Sequence, residues 1–325
     1  MKKKAVLVTG ATGFIGRYVT DCLIKEGLQV FALTRTDGEG FALKNSGVEI
    51  INGDITNRLV IPDEVSTIYH CAGVIGREED MWPVNVHGTQ NAVEAAVDHN
   101  CRLIYLSSAG VVGRTTKKNV NEETPCNPDN LYEMTKFKAE EIVIQGIKIR
   151  GLKTQILRPS TVFGEGREPE KDSFFQLIQA IAAGRYRHIR KGNGIYNIIY
   201  AGEVARAMFM LDNDNITNGR AYFINTPVSF AEFALTVSDS LKNNREKIGN
   251  IPYVAAFAGA AVFSFMELLT GKKRGLTFSR LKALTDTRVF SQARLLNETD
   301  YRPLCRVDEY LKQLCNKYYR IGFLS

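Results

Sequence analysis

Cysteine is scarce here and is spaced for no obvious purpose. The six cysteines (Cys22, Cys71, Cys101, Cys126, Cys305 and Cys315) form no C-x-x-C pair and no spacing suited to a metal ligand set. No metal site and no disulfide framework is therefore expected, and a reduced cytoplasmic setting fits best. Cys22 and Cys71 stand in apolar surroundings and read as small buried hydrophobes. Charge of one sign does not accumulate either. Lysine and arginine number 42 against 35 acidic residues, a net +7 that is scattered apart from short clusters at 2–4, 185–191 and 272–274. A nucleic-acid protein concentrates its charge on one face or motif, so no nucleic-acid partner is expected; an anionic small substrate suits the balance. Internal repeats, low-complexity tracts and long linkers are missing. Long apolar runs are nearly so. The exception, 252–269, barely reaches transmembrane length and is interrupted by Glu267. A strand begins almost at the N-terminus, so no signal peptide is expected.

The chain is organised around its first residues. Ala5-Val6-Leu7-Val8 is a short apolar run rich in β-branched residues, followed by Thr9-Gly10-Ala11-Thr12-Gly13-Phe14-Ile15-Gly16 and a helix-like stretch over 17–26. Strand, glycine turn and helix in that order open a nucleotide-binding βαβ unit. Gly10 can adopt the angles of a tight turn, Gly13 lets the main chain approach a pyrophosphate, and Gly16 lets the helix pack close to the strand. The helix N-terminus offers its unpaired N–H groups to phosphate charge. With 325 residues, the chain can build one large or two modest domains.

A second strand over 29–35 ends in Thr34-Arg35, with Asp37 beyond it. A cation there would pair with the 2′-phosphate of NADP, whereas a carboxylate would bind the ribose of NAD, so NADP is favoured over NAD. A third strand delivers Asp54-Ile55, where the carboxylate can accept from an adenine amino group and Ile55 can pack on the ring; a simple Asx turn at Asp54 is the alternative. The fourth strand exits through Ala72-Gly73, small enough for a cofactor to lie against the backbone. His70 in that strand is expected in or beside the sheet rather than in catalysis. A long helix is expected from Trp82 through Asp98. The fifth strand ends in Ser107-Ser108, and a helix from Leu131 carries Tyr132 and Lys136 four apart on one face. An ammonium beside a phenol favours the phenolate, and a phenol so tuned can exchange a proton near neutral pH.

Together these residues resemble the extended branch of the short-chain dehydrogenase/reductase superfamily, over essentially the whole chain. TGATGFIG (9–16) is similar to its cofactor turn, GDIT (53–56) to the adenine contact, HCAG (70–73) to the fourth-strand motif and NVHGT (85–89) to the helix after it. YLSSAGVVG (105–113), YEMTK (132–136), LRPSTVFGEG (157–166) and NIIYAGEVARAM (197–208) complete the set. The resemblance implies an α/β, Rossmann-type doubly wound parallel sheet with a smaller, mostly helical C-terminal substrate lobe. It divides the chain into a cofactor domain of 1–160 plus about 195–226 and a substrate lobe of about 161–194 plus 227–325.

By the same resemblance, Tyr132 is the general acid/base, Lys136 lowers its pKa and binds the nicotinamide ribose, and Ser108 rather than Ser107 positions the substrate oxygen. Gly10, Thr12, Gly13, Phe14, Ile15, Gly16, Arg35, Asp54, Ile55, Ala72, Gly73, Tyr132, Lys136 and Pro159 would contact the cofactor. The implied activity is hydride transfer at a hydroxyl or keto carbon of a nucleotide-activated sugar, with a 3β-hydroxysteroid dehydrogenase-like reductase of a lipophilic ketone, or a non-catalytic cofactor sensor, as alternatives. Dehydratases of the family follow the catalytic threonine with Asp-Glu; Ala109-Gly110 stands here, so a 4,6-dehydratase is rejected. Many UDP-sugar epimerases place asparagine after the Arg-Pro, where this chain has Ser160-Thr161. A homodimer is implied, built from the helices near 87–98 and 132–145.

In the second lobe, the pattern predicts an amphipathic helix over 174–183, a last strand at 223–225 and a helix over 229–241 with Ser229 as N-cap and Glu232 three residues on. The apolar 252–269 segment reads as a core or lid helix. Membrane contact is the minor alternative, with Lys272-Lys273-Arg274 as headgroup partners.

Overall fold

In the computed structural model, the described residues are 4–35, 47–166, 172–213, 215–241, 248–270 and 275–324, without the side chains of 267, 269 and 270. Asp37, the 272–274 cluster and the Glu267 side chain lie outside them.

In chain order the elements begin with β1 (Ala5–Thr9), α1 (Phe14–Lys25), β2 (Gln29–Thr34), β3 (Glu49–Asn52), β4 (Val65–His70), α2 (Glu78–Trp82), α3 (Gly88–Asp98), β5 (Arg102–Leu106), β6 (Asn119–Val120), α4 (Leu131–Arg150), β7 (Thr154–Pro159) and β8 (Thr161–Phe163). They continue with α5 (Ser173–Ala182), β9 (His188–Ile189), β10 (Ile195–Tyr200), α6 (Ala201–Leu211), β11 (Ala221–Ile224), β12 (Thr226–Ser229), α7 (Phe230–Ser240), β13 (Asn250–Ile251), α8 (Tyr253–Thr270), α9 (Phe278–Thr285), β14 (Val289–Phe290), α10 (Ala293–Glu298) and α11 (Val307–Arg320). They fall into two units. The first is Met1–Val162, Ile199–Asn225 and Phe290–Pro303; the second is Phe163–Ile198, Thr226–Val289 and Leu304–Ser325.

The first unit is a parallel sheet in the order β11-β7-β5-β4-β1-β2-β3. All five residues of β1 are buried, as a central parallel strand covered on both faces requires. Alternate side chains serve opposite faces. Val6 and Val8 pack in one cluster with Val19 and Leu23 of α1 and Val204 and Met208 of α6. Ala5 and Leu7 pack in the other, with Ala92 and Ala96 of α3 and Ala139 and Val143 of α4. Strand order reverses between β1 and β4, which creates a switch point at their C-terminal ends, where such sheets bind ligands.

Two local differences from the sequence reading have clear causes. Helix α1 starts at Phe14 rather than Arg17, because Gly13 N–H donates to Gly10 O and an extended Gly13 caps the helix directly. The helix expected from Trp82 is interrupted by a π-helical turn at Pro83–His87, closed by Gly88 N–H donating to Pro83 O. Proline has no N–H to continue the ordinary ladder, and the turn widens around it.

The second unit is mostly helical. Phe163, Phe174, Tyr196, Phe230 and Phe233 form a chain of ring contacts with centroids 5.0–6.0 Å apart. Helix α7 carries the capping box its sequence promised: Glu232 N–H donates to Ser229 Oγ at 3.1 Å and Ser229 N–H donates to Glu232 Oε2 at 2.9 Å. No helix among the described residues is long and apolar enough to cross a membrane.

Candidate active site

The glycine turn is shaped by steric need. Gly10 has φ +68°, and a Cβ there would lie 2.7 Å from the backbone of Ala72. The turn after β1 therefore rests on the exit of β4, at the switch point. A Cβ on Gly16 would come within 1.9 Å of Gly10 O, so α1 packs against the turn as only glycine permits. The N-cap of α1 supplies no side-chain acceptor, and its first turn carries no acidic residue. That leaves a positive helix end suited to an anion. Thr12, Phe14 and Ile15 are half-buried beside it, and Arg17 Nε donates to Thr12 O at 2.9 Å.

Helix α4 is bounded by its own sequence. Asn130 Oδ1 accepts from Glu133 N–H at 3.0 Å at the start, and Gly151, at φ +68°, ends it. Lys136, one turn after Tyr132, is 4% exposed, and its Nζ donates to Leu106 O at 2.6 Å. That carbonyl ends β5, two residues before Ser108. Burial pushes the Lys136 ammonium down to about 8, with Glu140 and Cys71 opposing the change. Among the described residues Leu106 O is its one hydrogen-bond acceptor, although an ammonium has three donors. Ser108 Oγ accepts from Gly110 N–H at 3.1 Å, so its own hydrogen is available to give. Ser107 is 3% exposed, and its Oγ meets no partner among the described residues. Tyr132 is half-buried on the helix that holds Lys136.

His70 lies in the sheet. It is fully buried, held by Thr9 Oγ1 at 2.7 Å through Nδ1 and by Thr89 Oγ1 at 3.0 Å through Nε2. Burial, and secondarily the charge of Lys136, pushes it down to about 3. It is a neutral tie between β1, β4 and α3.

Asp54 Oδ1 accepts from both the N–H and the hydroxyl of Thr56, each at 2.9 Å, which is an Asx turn. Ile55 is 8% exposed and packs where a Cβ on Gly88 would meet it at 3.0 Å. Arg35 is exposed at the exit of β2, Gly73 is exposed and Ala72 buried at the exit of β4, and Pro159 is buried at the end of β7.

One positioning residue escaped the sequence reading. Asn85, in the π-helical turn, is fully buried. Its amide donates to Val74 O and Thr135 Oγ1, each at 3.0 Å, and its Oδ1 accepts from Val74 N–H at 2.8 Å. It ties the loop after Gly73 to the residue preceding Lys136. The sequence placed Asn85 only as the first residue of NVHGT (85–89), with no partner assigned to it.

The residues fit a dinucleotide: an uncapped helix end at the switch point for the pyrophosphate, and a buried ammonium with donors to spare. The model of the NAD-dependent epimerase/dehydratase family matches residues 6–224. The 3β-hydroxysteroid-dehydrogenase/decarboxylase isoform 2 of Arabidopsis thaliana is 28% identical, covering 96% of this chain and 61% of that protein, so the chain spans less than two thirds of that relative. An N-acetyl-α-D-glucosaminyl-diphospho-ditrans,octacis-undecaprenol 4-epimerase of Escherichia coli O157:H7 is 23% identical, covering 89% of this chain and 88% of that one. The UDP-glucose 4-epimerase of Thermotoga maritima, solved with UDP-glucose, shares the fold at TM-score 0.74 and 17% identity over 98% of this chain and 99% of that one.

Proposed function

The chain belongs to the NAD-dependent epimerase/dehydratase family, and from that premise we propose an NAD(P)-dependent oxidoreductase or epimerase that acts at a hydroxyl or keto carbon of a nucleotide-activated sugar. The observation that carries this reading is the Lys136–Leu106 bond, which joins the helix of Tyr132 to the end of the strand that leads into Ser108. A nicotinamide, when bound, supplies or removes the hydride. The chain's own residues do the rest. Ser108 directs its hydroxyl hydrogen at the substrate oxygen and fixes it. Tyr132 gives that oxygen a proton when a carbonyl is reduced and takes one when an alcohol is oxidised. Lys136 supplies the positive charge that a developing phenolate needs, and its spare donors suit ribose hydroxyls. The turn from Gly10 to Gly16 takes the pyrophosphate, and main-chain groups near Pro159 meet the carboxamide.

Dehydration is not part of the reading. Ala109-Gly110 follow Ser108 with no acid or base, and the Glu133 carboxylate is engaged by Asp129 N–H at 2.7 Å. The family's helix pairing implies a homodimer through α3 and α4, which light scattering at micromolar protein tests.

A lipophilic ketone is the second reading. It is favoured by Ser160 where an asparagine would meet a diphosphate, and by the hydroxysteroid substrate named for the Arabidopsis relative. Calorimetric titration with UDP, dTDP and CDP separates the two, since binding of a nucleoside diphosphate is expected for the sugar enzyme and absence of all three supports the ketone. Tyr132→Phe is expected to lower turnover by about a hundredfold or more with cofactor binding retained; unchanged turnover overturns the mechanism for either substrate.

A further inference from the structure

Helix α8 turns its large side chains outward and buries its small ones. Among its described side chains Ala256 and Ala260 are the buried ones, packed with Ile189 and Leu281. Val254 is 78% exposed, Phe265 62% and Leu268 81%. With Phe257 and Ala261 these residues recur at helical spacing and form one continuous face. Phe278 of α9 extends it, its ring centroid 5.2 Å from that of Phe257. Isolated exposed apolar residues are ordinary; a contiguous band marks a contact surface.

Basic residues rim this band. At the N-terminal end of α8, the Arg190 guanidinium lies 4.2 Å over the Tyr253 ring. Arg185, Arg187 and Lys191 are exposed in the same segment, and no acidic residue occurs from 183 to 194. On α9, Arg280 and Lys282 are exposed. Among the described side chains of 248–285 the charged ones are Arg280 and Lys282.

We propose that this face of the second unit docks on an anionic lipid bilayer, with α8 lying in the interface and the basic rim meeting lipid phosphates. The apolar band would enter the boundary between headgroups and acyl chains, and an aromatic ring with a polar tip, Tyr253, would sit at headgroup level. No helix among the described residues is long and apolar enough to cross a membrane, so the contact proposed is an interfacial one. A second copy of the chain fits less well, because a twofold contact on this band would set two cationic rims against each other. An anionic bilayer complements both features at once.

Sedimentation of the full chain with lipid vesicles tests the proposal. Binding to phosphatidylcholine vesicles that contain phosphatidylglycerol is expected to be at least about tenfold stronger than to phosphatidylcholine alone, and to weaken as salt is raised. Val254→Ser with Phe265→Ser, both exposed and removable without opening the core, is expected to cut binding about tenfold, as is Arg187→Glu with Lys191→Glu. The lipid and salt comparisons use wild-type protein, so they stand even if a variant folds poorly. Tyr132→Phe is expected to bind vesicles like wild type, which separates docking from catalysis. Absence of binding to either vesicle, equal binding to both, or binding unaffected by Val254→Ser with Phe265→Ser overturns the proposal. So does a dimer that light scattering shows to be dispersed by that pair of substitutions, which would assign the face to a second copy.

Discussion

Tyr105 brings two perturbed side chains of the site together: His70 stacks on its ring at 5.6 Å, and Lys136 Nζ lies 4.6 Å from the ring centroid. Both are buried, both lose charge through burial, and their consequences fall in different pH windows. His70 stays neutral in the folded chain down to about pH 3, whereas an unfolded histidine takes its proton near 6.5. Between those values the unfolded state binds more protons, so stability falls as pH drops through the window, by at most about 5 kcal/mol. Denaturant titrations from pH 7 to 4 are expected to show this acid loss in wild type and a shallower one in His70→Gln. Lys136 acts in the same direction, in a window at higher pH. The folded chain releases its proton near 8 and the unfolded chain near 10.5, so burying the ammonium costs stability below pH 8, by about 3 kcal/mol. From pH 8 to 10 wild type is expected to gain stability relative to Lys136→Met, while the variant is inactive throughout. A flat difference in stability would show that the ammonium is not buried as described.

At the scale of elements, α4 shows why part of the site was legible. Its start at Leu131 and the Tyr132–Lys136 spacing are local features, and local features are written in order along the chain. Asn130→Ala removes the acceptor for Glu133 N–H and is expected to cost about 1 kcal/mol in thermal unfolding. Because Tyr132 sits in the first turn behind that cap, turnover is expected to fall more than cofactor affinity does. Equal losses would show that the cap serves stability alone. What was not legible depends on distance in the sequence. Asn85 meets Thr135 fifty residues away. Tyr301 Oη donates to Glu203 Oε2 at 2.8 Å, which anchors Phe290–Pro303 in the sheet unit, and nothing in that stretch of sequence announces it. The 252–269 segment is a helix as expected, Tyr253–Thr270, but its buried face was not legible for another reason. It is apolar on nearly every side, so periodicity could not say which face would be buried, and small residues won because they let α8 approach α9 closely.

At the scale of the whole molecule, the cofactor decides between recycling and net turnover. An epimerase returns the hydride to the substrate it came from and gains by holding its cofactor tightly; a reductase must exchange it. The strand exit that separates these cases holds Thr34, buried, and Arg35, exposed. A guanidinium there suits a 2′-phosphate, and the net +7 adds a general attraction for the more highly charged NADPH. Calorimetric titration of the full chain is expected to show NADPH bound at least about tenfold more tightly than NADH, a gap of about 1.4 kcal/mol. Arg35→Asp is expected to erase or invert the preference, because a carboxylate repels the phosphate and accepts from a ribose hydroxyl instead. High salt should narrow the wild-type gap without inverting it, since screening weakens the general field more than a direct ion pair. If native mass spectrometry instead finds NAD carried through purification, Arg35 does not read a phosphate. The chain is then built to keep its cofactor, and epimerisation becomes the stronger account of the same Ser108, Tyr132 and Lys136.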